Sequence, residues 1–443
     1  MLSRLHCGCK RNNYIFGANA SKLPNNNRDP SSTIRQFLSF HPNTRPSGFE
    51  RASNQTFDWL YSTFGDLRPY HFNDVLDRLR QSTSPGIYYR KLGFKTKAEV
   101  VEKRSNALRY QIHRLKSTNY GLRPLSYVCV VDSTISPSTG LTKNRVAWVY
   151  PIIMVAAENM FFEGFRRKIQ MMPDWVPSPT NAHTTFCGWR SKSYDFTSFD
   201  SSVPQWLINE AFDMIKALFD FGSYAPSPSG KVGIPYAKTS LEGLFERIRD
   251  YFVNTPFTTP SGEVLTKRHG VPSGSMFTNL IDTIVSRMVL TYVHGLDKAS
   301  MGSRCNIKTY GDDCHVKCSC GVPNTVAIEA CRLLGFKLKI EEPNEHGCLT
   351  YCKAECHLGQ PFHPGTWFAG IFKCLPERIH HAVAYCLACS VKPTRVQFDE
   401  LCVIIDEGGG DLHPTEDRKL AKLLSGGQDN QLSMVKLPPM AIS

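Results

Sequence analysis

The chain of 443 residues has no long apolar run. Its most apolar stretch, VAWVYPIIMVAA (Val146–Ala157), is interrupted by Pro151 and falls short of the roughly 20 residues a bilayer span requires. The opening MLSRLHCGCKRNN lacks the apolar core of about 7–15 residues found in secretory signals. Acid is scarce at the start, where Asp29 is the sole carboxylate before Glu50. That composition matches a mitochondrial transit peptide, but no amphipathic helix stands out, so residues 1–50 read as a basic, loosely ordered arm. Repeats with a period of 20–50 residues are absent. Gly230-Lys231 is no phosphate loop, because Gly222 is wrongly spaced and Val232 replaces the hydroxyl residue. The sixteen cysteines sit in a chain far larger than disulfide-stapled secreted domains. Cys314, Cys318 and Cys320 with His315 form one group and Cys348, Cys352 and Cys356 another, and neither has paired C-x-x-C spacing. They read as buried packing thiols of a reduced, intracellular, soluble protein.

What is present is basic charge and a foldable composition. Lys and Arg number 52 against 39 acids, a net charge of +13, with 41% hydrophobic residues. A folded chain with that surplus meets a polyanion, nucleic acid above all. KAEVVEKRSNALRYQIHRL predicts a charged helix, and Gly121–Pro151 predicts strand, loop, strand. SYDFTSFDSSVPQWLINEAFDMIKALFDF (Ser193–Phe221) predicts a strand and a tight turn into a helix with Trp206, Leu207, Phe212, Ile215 and Phe219 facing a core. HGVPSGSMFTNLIDTIVSRMVLTYVHGL predicts a glycine-rich turn feeding a long apolar helix. A hairpin around Asp312, a helix near Thr325–Leu334 and a strand at Phe336–Ile340 follow. This order suits a small antiparallel sheet with helices on one face. Beyond Gly359 the pattern is mostly helical.

The paired acids in TYGDDCHVKC pose an electrostatic problem, since Asp312 and Asp313 repel each other at a hairpin tip. A Gly-Asp-Asp tip is also an ordinary turn. Asp195 at the end of another strand and Asp200 five residues on change the weighting. Three or four carboxylates on adjacent strand ends make a hard oxygen cage for Mg²⁺. Two such ions can activate a hydroxyl and stabilise a leaving pyrophosphate.

DFTSFD, GVPSGSMFTNLID and YGDD, in that order, resemble three motifs of viral RNA-dependent RNA polymerases, nearest to the partitivirus-type enzymes of double-stranded RNA viruses. TSPGIYYRKLGFKTKAEV resembles their template-guiding motif, TKNRVAWVYP the basic motif of the nucleotide channel, and CHLG (Cys356–Gly359) the palm–thumb junction. The resemblance covers about Ser82–Gly359 and implies an α+β right-hand fold, with an antiparallel RRM-like palm sheet packed on helices. Fingers would occupy 51–190, palm 191–220, a fingers insertion 221–268, palm again 269–359, and thumb 360–443.

The implied roles fall on particular residues. Asp195, Asp312 and Asp313 would be catalytic metal ligands for Mg²⁺, with Mn²⁺ able to substitute. Asp200, Thr278 and Asp282 would meet the ribose, and Ser273 and Gly274 would shape the site as a nucleotide docks. Many related enzymes carry Asn where Asp282 stands; an aspartate can accept from a hydroxyl but cannot donate. Lys143 and Arg145 alternate along a strand and would hold the triphosphate, with Arg123 a weaker candidate. Ser84, Pro85 and Gly86 would guide the template. Lys337 and Lys339 are candidate general acids, equally readable as exposed strand lysines. The implied partners are RNA template and product, nucleoside triphosphates and a separately encoded capsid protein, with no membrane span. The implied setting is the host cytoplasm, inside a virion. The rivals are a reverse transcriptase, a metal-dependent nuclease, and an inactive RNA-binding or packaging protein on the same fold.

Overall fold

The computed structural model describes residues 31–39, 44–117, 123–135, 142–169, 191–227, 238–296, 305–343, 349–351, 354–357 and 360–362. Most of the N-terminal arm, and all of the expected thumb (360–443) but its first three residues, lie outside the described residues. Five helices come first: α1 (Ser31–Gln36), α2 (Glu50–Phe64), α3 (Phe72–Leu76), α4 (Ile87–Lys91) and α5 (Lys97–Lys116). Strands β1 (Ser126–Ile135) and β2 (Thr142–Val149) lead into α6 (Ile152–Lys168). Next are β3 (Ser191–Thr197), the single-turn α7 (Phe199–Ser202), α8 (Gln205–Ala217), α9 (Lys238–Val253), β4 (Pro256–Thr258) and β5 (Val264–Thr266). Then come α10 (Thr278–His294), β6 (Asn306–Tyr310), β7 (Asp313–Lys317), α11 (Asn324–Leu333) and β8 (Lys337–Glu341). The short strands β9 (Thr350–Tyr351), β10 (Ala354–His357) and β11 (Gln360–Phe362) close the described chain.

Local chemistry explains the elements. The Thr96 hydroxyl accepts from the Glu99 amide, and Glu99 reaches back to the Lys95 amide, a reciprocal cap that starts the charged α5. The apolar run ending at Ala157 divides between the end of β2 and the first turns of α6, which are buried on all sides from Ile152 to Met160, as a helix without a polar face must be. No described helix is long and apolar enough to cross a membrane. The expected core positions hold: Leu207, Phe212 and Ile215 of α8 are fully buried, with Phe219 just beyond it nearly so and Trp206 packed against them.

Two four-stranded sheets organise the molecule. The first has the order β6-β7-β3-β8, antiparallel throughout, and its chain order is β-α-β-β-α-β. Along β3, Tyr194 and Phe196 are buried while Asp195 and Thr197 are exposed, the period-2 alternation of a sheet with one covered face. Phe196 packs on Phe199 and Phe336, which closes that face. The second sheet, β2-β1-β4-β5, is mixed, because β1 runs parallel to β4. Its strands β4 and β5 fall within 221–268, where the sequence pattern shows no strand; three residues are too few for alternation to register.

Two expectations change. Helix α1 lies inside the segment read as a loose arm, and its Ile34, with Phe37 just after it, is buried in the core. The reading of a wholly reduced set of packing thiols is also corrected. Cys314 and Cys331 are buried thiols, but Cys318 is joined to Cys305, and Cys320 is only half-buried. Cys305 and Cys318 flank the β6–β7 hairpin, so pairing the strands brings their Cα atoms to 4.3 Å across a sequence separation of 13.

Candidate active site

The hairpin tip is a two-residue turn. Tyr310 pairs with Asp313, leaving Gly311 and Asp312 between them. Gly311 has φ of +64°, which a side chain would resist. Its amide donates to Thr283 Oγ1 at 2.9 Å, and its carbonyl accepts from Ser286 Oγ at 2.8 Å. The tip is thus bolted to α10, with Asp312 exposed and Asp313 half-buried at the start of β7. On β3 the last pair with β7 is Tyr194–Cys314, so one further step of the antiparallel register sets Asp195 opposite Asp313. After β3 the chain turns at Ser198, whose φ of +54° is the sole positive value among described non-glycine residues. That turn puts Asp200 in the first turn of α7.

Asp282 completes the acid group from below. It is buried on α10, and its Oδ1 has no hydrogen-bond partner. Desolvation, then the charges of Asp200 and Asp312, push its carboxyl well above the ordinary range. The donor set of Asp195, Asp312 and Asp313 is hard oxygen throughout and fits Mg²⁺ or Mn²⁺, and the orphaned buried carboxyl beside it suits a polar ligand. The acids do not draw together as a set of three within 4.8 Å, as expected of like charges on exposed strand ends.

Thr283, Ser286, Glu158 and Lys267 frame this site and escape motif reading. Asn279, Asp282, Thr283 and Ser286 form a polar stripe at helical spacing in a mostly apolar helix, and that stripe is the signal from which Thr283 and Ser286 were legible. Glu158 on α6 is fully buried and accepts from Ser275 Oγ and the Met276 amide, both at 2.8 Å. Burial pushes its carboxyl up to about 8. Lys267, also buried, donates to the carbonyls of Val253 (2.8 Å) and Gly270 (2.6 Å), and desolvation lowers its ammonium to about 7. Glu158 and Lys267 hold the two ends of the glycine-rich turn, and a lone acid or lysine in sequence carries no sign of that.

The turn itself joins the two sheets. Val271 N–H donates to the Asp200 carbonyl at 2.6 Å. Ser273 Oγ bridges the Val146 carbonyl and the Trp148 amide of β2, each at 3.4 Å. A Cβ on Gly274 would overlap the Trp148 carbonyl oxygen, so this glycine serves close backbone approach. Thr278 donates its hydroxyl to the carbonyls of Pro272 and Ser275, which leaves it lone pairs to offer a ligand.

The remaining candidates are placed as follows. Lys143 and Arg145 lie on β2, in register with Thr134 and Asp132 of β1. Arg123 is ion-paired with Asp250 at 2.7 Å. Pro85 and Gly86 are buried, with the Pro85 carbonyl accepting from Ile152 at 3.0 Å, and Ser84 is half-buried. Lys337 and Lys339 are exposed on β8, and Lys339 pairs with Asp195. Paired residues share a face with Cβ atoms about 4.5–5.5 Å apart, so Lys339 stands beside the acid.

Comparison with known proteins bears on the family and the fold. A curated relative, the RNA-directed RNA polymerase of Cryptosporidium parvum virus 1 (strain KSU-1), is 26% identical over 246 residues, which is 53% of this chain and 43% of that protein. The chain thus aligns with less than half the length of that relative. The crystal structure of the RNA-dependent RNA polymerase of a human picorbirnavirus superposes with a TM-score of 0.59 over 86% of this chain and 73% of that one, at 15% identity, a likeness of fold. The viral RNA-dependent RNA polymerase family profile matches residues 53–356, a span that runs from α2 through the glycine-rich turn and the Asp312 hairpin to Cys356, and the chain belongs to that family.

Proposed function

We propose that this protein is an RNA-directed RNA polymerase that copies and transcribes a viral RNA genome. The observation that carries the reading is the placement of Asp195, Asp312 and Asp313 on adjoining strand ends, over a buried Asp282 that feels Asp200 and Asp312. In this reading the β-α-β-β-α-β sheet is the RRM-like palm, the β1–β2 ribbon belongs to the fingers, and the thumb follows residue 360. The partners are template and product RNA and nucleoside triphosphates, with genome copying inside a particle built from a separately encoded capsid protein in the host cytoplasm.

The 3′-hydroxyl oxygen of the growing strand attacks the α-phosphorus, the bond to the β-phosphate bridging oxygen breaks, and pyrophosphate leaves. Asp195, Asp312 and Asp313 would hold Mg²⁺, which when bound lowers the hydroxyl pKa and offsets charge on the leaving group. Lys143 and Arg145 would bind the triphosphate, Arg by paired hydrogen bonds and Lys as a point charge. Asp200, Thr278 and Asp282 would hydrogen-bond the ribose 2′-hydroxyl, the group that separates RNA from DNA substrates. Lys339, in register with Asp195, is better placed than Lys337 to give a proton to the pyrophosphate.

The test is template-length synthesis from labelled ribonucleotides with Mg²⁺ or Mn²⁺, beside Asp312→Ala. No product from the natural protein, or equal product from both, overturns the reading. Greater incorporation of deoxynucleotides than ribonucleotides would favour a reverse transcriptase instead.

A further inference from the structure

The hairpin that carries Asp312 has a second chemical end. Cys305 precedes β6, Cys318 follows β7, Cys320 lies two residues beyond, and His294 closes α10. One ligand atom from each of these four residues lies within 4.8 Å of all the others, and each residue is half-buried. Three sulfurs and one imidazole are a donor set of structural zinc. Around a tetrahedral ion with bonds of about 2.0–2.3 Å, ligand atoms stand about 3.3–3.8 Å apart. His294 Nδ1 is already 3.0 Å from Cys320 Sγ, so a small outward adjustment opens the seat on that side.

The surroundings have the form of a ligand shell. His294 Nε2 lies 3.1 Å from the hydroxyl of Tyr194, a buried residue of β3. With Nε2–H donating to that oxygen, the Nδ1 lone pair is aimed at the sulfurs, the outer support that metal-binding histidines ordinarily have. The Cys320 amide donates to Cys318 Sγ at 3.3 Å, a bond that favours the thiolate form. The fully buried thiol of Cys331 has no place in this group.

We propose that the reduced cluster of His294, Cys305, Cys318 and Cys320 binds one zinc ion, clamping both strands of the hairpin to the end of α10. Binding forms three Zn–S bonds and one Zn–N bond, and the three thiol protons pass to solvent. The disulfide between Cys305 and Cys318 and the ion exclude each other, because the ion needs both sulfurs as thiolates. Five residues of extended strand separate Cys305 from Tyr310, about 17 Å, so the ion would take no part in nucleotidyl transfer. Its effect would be to fix the base of the lever whose tip presents Asp312.

The full chain, purified in reductant without chelator, is expected to hold about one zinc per molecule by elemental analysis. Exchange with Co²⁺ should give the visible absorption of a tetrahedral thiolate centre. Cys320→Ser and His294→Ala should lower zinc content severalfold or more, while Cys129→Ser, on β1 of the other sheet, should leave it unchanged. Should the ligand variants fail to fold, alkylation of the natural protein decides: zinc should shield Cys305, Cys318 and Cys320, and chelator should expose all three. Zinc below about a tenth of an ion per chain after supplementation, content unchanged in both ligand variants, or no change in alkylation with chelator would overturn the proposal.

Discussion

The two four-stranded sheets hold their candidate site residues in different ways. In the antiparallel sheet the acids stand on strand ends tied from beneath, with Gly311 bonded to both Thr283 and Ser286 and Asp282 enclosed on the same helix. In the mixed sheet β4 pairs with β1 only at Ser126 and Tyr127. The end carrying Lys143 and Arg145 is therefore a two-stranded ribbon, bulged between Val130 and Asp132. A lone ribbon is marginally stable. The acid side is built in advance, whereas the basic side gains its position through its seam with the glycine-rich turn. Chemistry should therefore depend steeply on the first sheet, and nucleotide affinity on the second.

The largest contrast is expected between the charges themselves. Asp312→Ala should cut the turnover rate by about a thousandfold or more, about 4 kcal/mol at the transition state. Lys143→Ala and Arg145→Ala should act mainly on KM for the nucleotide, by about tenfold to a hundredfold, since uniform binding is what they would supply. Steady-state kinetics separates the two patterns. Equal losses of turnover from both sheets would erase the distinction.

The seam comes next. Gly274→Ala forces a Cβ onto the Trp148 carbonyl and should destabilise the fold by about 1–3 kcal/mol, the usual cost of overpacking. Thermal unfolding reads the stability, and the KM for nucleotide should rise as β2 is displaced. A variant with unchanged melting temperature and KM would show that the sheets are not registered through this turn. A further effect is expected on α10, beneath the acid sheet. Asp282→Ala should lower the preference for ribonucleotides over deoxynucleotides by about tenfold to a hundredfold, as when a site loses a partner for a substrate hydroxyl. Competition between labelled nucleotides measures it, and unchanged preference would remove Asp282 from ribose selection.

The acid sheet was largely legible in sequence. The hairpin, the strand–turn–helix around Asp195 and Asp200 and the long helix after Gly274 all follow from turn chemistry and periodicity, and their order sets the acids on adjoining strand ends. What stayed hidden depended on contacts between distant segments. Thr283 and Ser286 acquire meaning only when Gly311 lies on them. The Cys305–Cys318 contact exists only once the hairpin closes, so local spacing grouped Cys318 with Cys314 and His315 instead. Pro85 and Gly86 read as a template-guiding turn, yet both are buried against the start of α6, which leaves Ser84 the more accessible of the three.

Glu158 gives the smallest and most specific test, because it holds the seam from the side of the core. Burial raises its carboxyl from 4.5 to about 8. Between those values the folded chain keeps a proton that the unfolded chain has lost. The associated stability is complete below about pH 4.5 and falls as pH rises through 8, by about 1.4 kcal/mol per unit in between. Lys267 runs the other way: its ammonium is lowered to about 7 from 10.5, so stability linked to it rises with pH above about 7 and is nearly silent below. The window from about pH 5 to 7 therefore separates Glu158 from Lys267, while His294, His71 and Asp282, whose shifts also act there, are common to natural chain and variant and cancel in the difference. Glu158→Gln keeps one acceptor, for the Met276 amide, turns an NH2 donor toward Ser275 Oγ, and has no proton to lose. Denaturant unfolding of the two proteins across that window should show the natural chain losing stability relative to the variant as pH rises. Parallel curves would mean that the two donors at 2.8 Å hold Glu158 as a carboxylate, and that the seam is fastened by charge-assisted bonds.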